Sequence, residues 1–201
     1  MKMEKIENPV VIGLFAGGKG MGKTYTANKI KEALEKKGHK VAIVSFAGAL
    51  RAISKDILRA FGIHAEIADE LLTTDKDEAC LGLSLGTGLS PYKRVSPREG
   101  LLVSVGQAIR KHISPDAWIE ALWREVMALH SIGYTHMIID DLRKPNEARF
   151  VRQRGGTLVF VEHPTHIPDE SHEDFEDAKI IMRRHRYYIS AGFLDEISAN
   201  D

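Results

Sequence analysis

The stretch VVIGLFAGGKGMGKT, residues 10–24, decides the fold of this chain of 201 residues. An apolar run of strand length leads into a glycine-rich loop. The loop then leads into a segment with apolar residues at Ala27, Ile30, Ala33 and Leu34, which is helical spacing that stops at Gly38. The loop has few side chains, which indicates that its backbone approaches a bound group closely. The order strand, glycine loop, helix predicts an α/β domain.

Residues Gly17 to Thr24 fit the phosphate-loop pattern G-x-x-x-x-G-K-[S/T], and the elements on both sides are the ones that the pattern requires. Successive backbone N–H groups in such a loop wrap a polyphosphate, and the helix that follows adds its N-terminal dipole. We expect Lys23 to reach the β- and γ-phosphates and Thr24 to bind Mg²⁺ through its hydroxyl. The pattern therefore predicts ATP and Mg²⁺ as cofactors, bound by Gly17, Gly18, Lys19, Gly20, Met21, Gly22, Lys23, Thr24 and Tyr25.

The rest of the chain repeats the alternation of strands and helices. Apolar runs rich in Val and Ile predict buried strands at Val10–Ala16, Val41–Phe46, His136–Asp140 and Thr157–Val161, with a fifth at Arg186–Ser190. Helices are predicted at Lys23–Lys37, Ala47–Phe61, from Ser96-Pro97, from Ser114-Pro115 to about His130, and at Lys144–Arg154. Strands that alternate with helices form a parallel sheet.

The chain is expected to be one domain, residues 1–201, with two segments that break the rhythm. Residues 64–95 contain several glycines and are predicted to form a partly helical excursion. It is expected on the side of the domain that binds a second substrate, called the acceptor. Residues 163–185 are predicted to form a lid-like region. Its histidines follow no zinc-binding spacing and no cysteine accompanies them, so a polar lid is favoured over a metal site.

Composition excludes several classes of function. The 28 Lys and Arg balance the 28 Asp and Glu, so no nucleic-acid or anionic membrane partner is expected. No apolar run approaches the roughly 20 residues of a membrane helix, and the N-terminus has no apolar core of a signal peptide. The single cysteine, Cys80, excludes an internal disulfide and favours a reducing compartment. We expect a cytoplasmic protein.

A second motif is the predicted strand that ends in Asp140 and Asp141. A carboxylate at the end of an apolar strand is the usual partner of a phosphate loop, where it holds Mg²⁺ directly or through water. Successive side chains of a strand point to opposite faces, so we expect one of the two to face the metal. The sequence leaves open which one.

Arginines cluster where predicted strands end and helices begin. In an open α/β sheet, ligands bind at the carboxyl ends of the strands. An arginine there suits a phosphate because its planar fork bonds two oxygens. The cluster predicts a second phosphate site, and hence phosphoryl transfer to a phosphorylated acceptor. Its members are Arg51, Arg98 with Gln107 and Arg110 on one helix, and Arg143 with Asn146, Glu147 and Arg149.

These stretches resemble the bacteriophage deoxynucleoside monophosphate kinases over nearly the whole chain. The matching residues are Phe46-Ala47…Leu50-Arg51, Ser96-Pro97-Arg98-Glu99…Gln107…Arg110, Pro115-Asp116-Ala117-Trp118, and Asp141-Leu142-Arg143…Asn146-Glu147…Gly155-Gly156. Arg51 stands where the family usually has lysine, which keeps the charge. The resemblance implies a P-loop NTPase fold, a three-layer α/β/α sandwich with a mostly parallel five-stranded sheet and helical or loop lid excursions. It also implies the cytoplasm of a host cell if the protein is phage-encoded.

The activity implied by the resemblance is ATP-dependent phosphorylation of deoxynucleoside 5′-monophosphates to diphosphates by in-line transfer. The implied catalytic residues are Lys23, Arg98 and Arg143, and Arg183, Arg184 and Arg186 are candidates for a lid arginine. Trp118 is a candidate for stacking on a base, although a core tryptophan is the stronger interpretation. The implied acceptor-binding residues are Arg51, Arg98, Gln107, Arg110, Trp118, Arg143, Asn146 and Glu147.

Two alternative functions remain open at this point. The first is a P-loop kinase for another small phosphorylated acceptor, of the dephospho-coenzyme A or phosphomevalonate type. The second is a P-loop ATPase that acts as a switch, which would leave the acceptor arginines without a role. The partners expected are small-molecule nucleotides. The accepted bases, the preference for deoxyribose, and the choice between monomer and homodimer are not determined by the sequence.

Overall fold

A computed structural model describes residues 8–18, 20–73, 97–163, 165, 173–183 and 188–190, of which 73, 97–99, 173–174 and 188–190 are described by backbone alone. The chain divides into two units. The first consists of Met1–Phe46 and Ile119–Asp201, and the second of Ala47–Trp118.

A parallel sheet forms the centre of the first unit. Its strands are β1 (Val10–Phe15), β2 (Val41–Val44), β3 (His136–Ile139), β4 (Thr157–Glu162) and β5 (Tyr188–Ser190). The spatial order is β2-β3-β1-β4-β5, and every neighbouring pair is parallel. The predicted α/β class with a parallel sheet is confirmed.

Seven helices occur in the described residues. In chain order they are α1 (Lys23–Lys36), α2 (Phe46–Ala60), α3 (Ala65–Thr73), α4 (Pro97–His112), α5 (Ala117–Ser131), α6 (Pro145–Gln153) and α7 (Glu173–Met182). None of the described helices is both long and apolar enough to cross a membrane.

Helices cover both faces of the sheet, and the alternation of side chains along the strands shows which helix lies on which face. One face carries Val11, Phe15, Met137, Ile139, Leu158 and Phe160, which pack with residues of α5, α6 and α7. The opposite face carries Leu14, Ile138, Val159 and Val161, which pack with residues of α1. The strands are apolar on both faces because both faces are covered.

The chain leaves two adjacent strands toward opposite faces of the sheet. After β1 the chain enters α1 on one face, whereas after β3 it enters α6 on the other face. Because β1 and β3 are neighbours, the connections that follow them diverge at the carboxyl edge of the sheet. Ligands of open α/β sheets bind at such a switch point.

The second unit is built from α3, α4 and most of α2. Leu50 of α2 lies against Gly106 of α4, where a Cβ would lie 3.4 Å from its Cδ2. Lys55 of α2 forms an ion pair with Asp69 of α3, and Ala68 and Leu72 of α3 are fully buried. The helix α3 lies within the predicted excursion 64–95, and residues 74–95 of that excursion lie outside the described residues.

Most element ends differ from the sequence predictions by one to three residues, and two of the differences are informative. The second strand ends at Val44 rather than Phe46, because Phe46 is the first residue of α2 and its backbone N–H donates to the Asp141 carboxylate at 2.8 Å. The helix α7 lies within the predicted polar lid, residues 163–185, where the sequence analysis predicted no particular helix. Its buried residues Ala178 and Ile181 are three apart, which places them on one helical face, and this spacing was the signal that was missed.

Candidate functional site

The connection between β1 and α1, here called the glycine loop (Gly17–Gly22), turns sharply at two glycines. Gly20 has φ 80° and Gly22 has φ 85°, both in the left-handed region. A side chain there would clash with its own backbone at a cost of about 1–2 kcal/mol. The glycines are therefore required by the path of the chain at these two positions. Met21 between them is buried in the core beside α1, and Lys19 lies outside the described residues.

The helix α1 begins at Lys23 without a side-chain cap, because its N-cap residue is Gly22. The first turn of a helix directs its backbone N–H groups outward and carries a partial positive charge. The half-buried Lys23 curls back over the glycine loop, and its Nζ donates to the Gly18 carbonyl oxygen at 3.2 Å. A lysine ammonium, the helix dipole and the loop backbone therefore meet at one place, as an anion site requires.

The end of β3 meets the start of α1 through a direct hydrogen bond. The Thr24 hydroxyl donates to Oδ2 of Asp140 at 3.2 Å, although 116 residues separate the two in the chain. The side chain of Asp141 is directed elsewhere, since its Oδ1 accepts the Phe46 N–H at 2.8 Å. Asp140 is therefore the carboxylate that faces the glycine loop, and Asp141 lies at the first turn of α2.

The side-chain oxygens of Thr24 and Asp140 are suitable ligands for a magnesium ion. Mg²⁺ prefers oxygen ligands and commonly takes one or two from the protein, with the remainder from phosphates and water. A hydroxyl and a carboxylate oxygen 3.2 Å apart at the mouth of the glycine loop fit this requirement. Within the described ranges, no group of three or more His, Cys, Asp or Glu side chains could hold a metal ion.

The turn between β3 and α6 carries the predicted acceptor residues of the first unit. Arg143 is exposed and Asn146 half-buried, whereas Glu147 is 4% exposed. Oε2 of Glu147 accepts the backbone N–H groups of Arg143 and Lys144, both at 2.9 Å. The structure thus brings Arg143 to the same carboxyl edge of the sheet as the glycine loop, and it directs the Glu147 carboxylate into the turn.

The other predicted acceptor residues lie in the second unit. Arg51 is half-buried in the second turn of α2, and on α4 Gln107 is exposed while Arg110 is half-buried. Arg98 belongs to the first turn of α4, but its side chain lies outside the described residues. The Arg110 guanidinium runs back along its own helix, 3.7 Å from where a Cβ on Gly106 would lie.

Trp118 is packed inside the second unit. It is 3% exposed, and its indole N–H donates to the Gly106 carbonyl oxygen at 3.4 Å. A buried indole whose N–H has a partner is typical of a core tryptophan. This favours the packing role over a contact with a base.

Further residues near the candidate site were not found by the sequence analysis. The pKa of Glu125 on α5 is raised by burial and, secondarily, by the negative charge of Asp141. Lys144 donates from Nζ to Oδ2 of Asp177 on α7 at 2.9 Å. Neither interaction has a local signal in the sequence, because each joins different elements of the chain.

The predicted lid region is partly described. It contains α7, and Arg183 directly follows that helix with an exposed side chain. Arg184 and Arg186 lie outside the described residues. The lid role of these arginines therefore stays a prediction. Tyr25, the last residue of the predicted ATP site, is 39% exposed in the first turn of α1.

A scan against models of known protein families matched none of them. A search of curated proteins likewise found no match.

Proposed function

We propose that the protein is an ATP-dependent kinase that phosphorylates deoxynucleoside 5′-monophosphates and has the P-loop NTPase fold. The observation that carries the proposal is the hydrogen bond between Thr24 and Asp140. It joins the first turn of the helix after the glycine loop to the end of the neighbouring strand. This is the arrangement in which a P-loop protein holds its magnesium nucleotide.

The donor nucleotide is assigned to the glycine loop. The N–H groups of the loop and of the first turn of α1 would bind the β- and γ-phosphates, and Lys23, which now donates to the Gly18 carbonyl oxygen, would donate to phosphate oxygens instead. Thr24 and Asp140 would hold Mg²⁺, which neutralises charge on the phosphates when it is bound.

The acceptor is assigned to the arginines. Arg143 is exposed at the carboxyl edge of the sheet, where β3 has just ended. It is proposed to bind the acceptor 5′-phosphate. The family resemblance implies the same role for Arg98, and it implies acceptor-binding roles for Arg51, Gln107, Arg110 and Asn146. Arginines suit an acceptor that is already an anion.

The reaction proposed is a direct in-line displacement. An oxygen of the acceptor phosphate forms a bond to the γ-phosphorus of ATP while the bond from that phosphorus to the β–γ bridging oxygen breaks. The products are the deoxynucleoside diphosphate and ADP. The acceptor oxygen is already deprotonated at neutral pH, so the protein contributes position and positive charge rather than a general base.

The test is a coupled assay for ADP release with ATP and Mg²⁺. The acceptor panel contains dAMP, dGMP, dCMP, dTMP, the four ribonucleotides, dephospho-coenzyme A and phosphomevalonate. We expect turnover with at least one deoxynucleoside monophosphate, and a loss of at least about a hundredfold in K23A and R143A. The matched control is R124A, which removes a surface arginine that is 82% exposed on α5.

Other outcomes of the same assay refute the proposal in different ways. ADP release that no acceptor accelerates would identify an ATPase switch. Turnover with dephospho-coenzyme A or phosphomevalonate, but with no nucleotide, would keep the phosphotransferase and replace the acceptor. Full activity in R143A would remove Arg143 from the acceptor site.

A further inference from the structure

Among the described residues, Glu147 is the one buried side chain that carries a formal charge, with 4% of its surface exposed. A buried carboxylate is costly unless hydrogen bonds to the charged form compensate for its lost hydration. Two backbone N–H groups provide this compensation, since Arg143 and Lys144 both donate to Oε2 at 2.9 Å. Hydrogen bonds to an ionised acceptor are about twice as strong as neutral ones.

The residues that flank Arg143 are fixed by packing, by an ion pair and by the start of α6. Leu142 is 1% exposed and lies over β1, close to the position that a Cβ on Gly13 would occupy. Lys144 is tied to Asp177 of α7 by an ion pair of 2.9 Å whose side chains are only 27% and 21% exposed. Pro145 begins α6 and needs no hydrogen-bond partner for its nitrogen. Arg143 itself is exposed, so the turn presents this one side chain outward from a fixed backbone.

We propose that Glu147 is a positioning residue for Arg143 and does not itself contact the acceptor. This inference rests on the proposed kinase function, in which Arg143 binds the acceptor phosphate. The family resemblance implied that Glu147 binds substrate, but its burial leaves almost no surface for a ligand, and Oε2 already holds two N–H groups. Its carboxylate fixes the backbone from which the Arg143 guanidinium reaches the phosphate. A misplacement of about 1 Å at such a group can cost a hundredfold in rate.

The first variant is E147Q, which keeps the shape of the side chain and removes the charge. Both N–H groups donate to the single oxygen Oε2, so the amide oxygen can take its place and accept from both, but as a neutral acceptor whose hydrogen bonds are about half as strong. We expect the KM for the deoxynucleoside monophosphate to rise about tenfold to a hundredfold, with the KM for ATP unchanged. The matched control is E120Q, the same change in the first turn of α5, where the glutamate is 60% exposed.

A second variant keeps the test valid if E147Q does not fold. E147D retains the charge but is shorter by one methylene, so it draws the turn toward α6 and should raise the acceptor KM by a smaller factor. A second readout is amide hydrogen exchange in the full chain without nucleotide. The amides of Arg143 and Lys144 should exchange slowly in the original protein and in E120Q, and at least about tenfold faster in E147Q.

The outcomes separate this inference from the proposed function. Turnover of deoxynucleoside monophosphates by the original protein, with the same acceptor KM in E147Q and E120Q, overturns the positioning role alone. Fast exchange of both amides in the original protein also overturns it. Loss of stability in E147Q without any change in acceptor KM would assign a purely structural role to Glu147. Absence of turnover with every deoxynucleoside monophosphate overturns the proposed function and the inference together.

Discussion

The substitution Gly13→Ala tests whether the packing beneath the candidate site is as tight as the structure shows. A Cβ on Gly13 of β1 would lie 2.7 Å from Cδ2 of Leu158 and 2.9 Å from Cδ1 of Leu142. Carbon atoms normally pack at about 3.5–4.0 Å, so each leucine must withdraw by at least about 0.6–0.8 Å. Leu142 and Leu158 are 1% and 2% exposed, so neither side chain can withdraw into solvent.

Overpacking of this kind costs about 1–3 kcal/mol. For a chain of this length, each kcal/mol corresponds to roughly 2–4 °C in melting temperature. We therefore expect G13A to melt about 2–12 °C lower than the original protein when unfolding is followed by circular dichroism. Leu142 precedes Arg143, so the same variant should also raise the KM for the acceptor if the proposed function holds.

The control is Gly106→Ala in the interior of α4. There the new Cβ would lie 3.4 Å from Cδ2 of Leu50, which is at the edge of ordinary contact. Alanine is a better helix former than glycine by about 0.8–1.0 kcal/mol, so G106A should melt at the same temperature or slightly higher. A melting temperature for G13A that equals or exceeds that of the original protein would refute the packing argument.

Three further predictions concern charge. D140N keeps an oxygen that can accept from Thr24 but removes the negative charge. Mg²⁺-dependent turnover should therefore fall at least about tenfold, with little change in melting temperature. Full turnover would contradict the metal assignment. R154A removes a guanidinium that lies 4.2 Å and 3.9 Å from the ring centroids of Trp123 and Phe150 and should lower stability by about 1 kcal/mol, whereas R124A should not. The pKa of His136 is lowered below 6.5 by burial and by His39, so its stabilising contribution is complete above about pH 6.5 and is lost as the pH falls through the lowered pKa. Melting temperatures between pH 7.5 and 5.5 should therefore fall less in H136N than in the original protein, and equal falls would contradict the assignment.

Most of the sheet could be predicted from the sequence because buried parallel strands are apolar on both faces. The predicted strands at residues 10, 41, 136 and 157 all begin where β1, β2, β3 and β4 begin. The ends of the strands were predicted less well, as at Phe46. A large apolar residue is compatible both with the end of a buried strand and with the first turn of a buried helix. Only the contact with Asp141 distinguishes the two.

The amphipathic helix α7 was missed for a related reason. Its sequence Glu-Asp-Phe-Glu-Asp-Ala-Lys-Ile-Ile-Met has charged residues through most of its length, and the few residues that it buries lie on one face toward α6 and the sheet. The polar residues of this stretch favoured the interpretation as a polar lid, although the spacing of its apolar residues is the stronger signal for a surface helix.

By itself, the sequence determined the glycine loop. A backbone with positive φ at residues 20 and 22 needs glycine at both, and this requirement is local. The loop, the lysine and threonine that follow it, and the two aspartates after β3 could therefore be recognised as candidates without a structure.

Only the tertiary structure decided how these candidates divide their roles. Asp140 and Asp141 are neighbours of the same chemical type, yet one meets Thr24 and the other meets the N–H of Phe46. Glu147 carries the same charge as any surface glutamate, and its burial beneath Arg143 depends on how α6 packs against the sheet. The physical reason is that these roles are set by contacts between segments far apart in the chain. Local sequence limits which residues can serve, but it does not specify which of them meet.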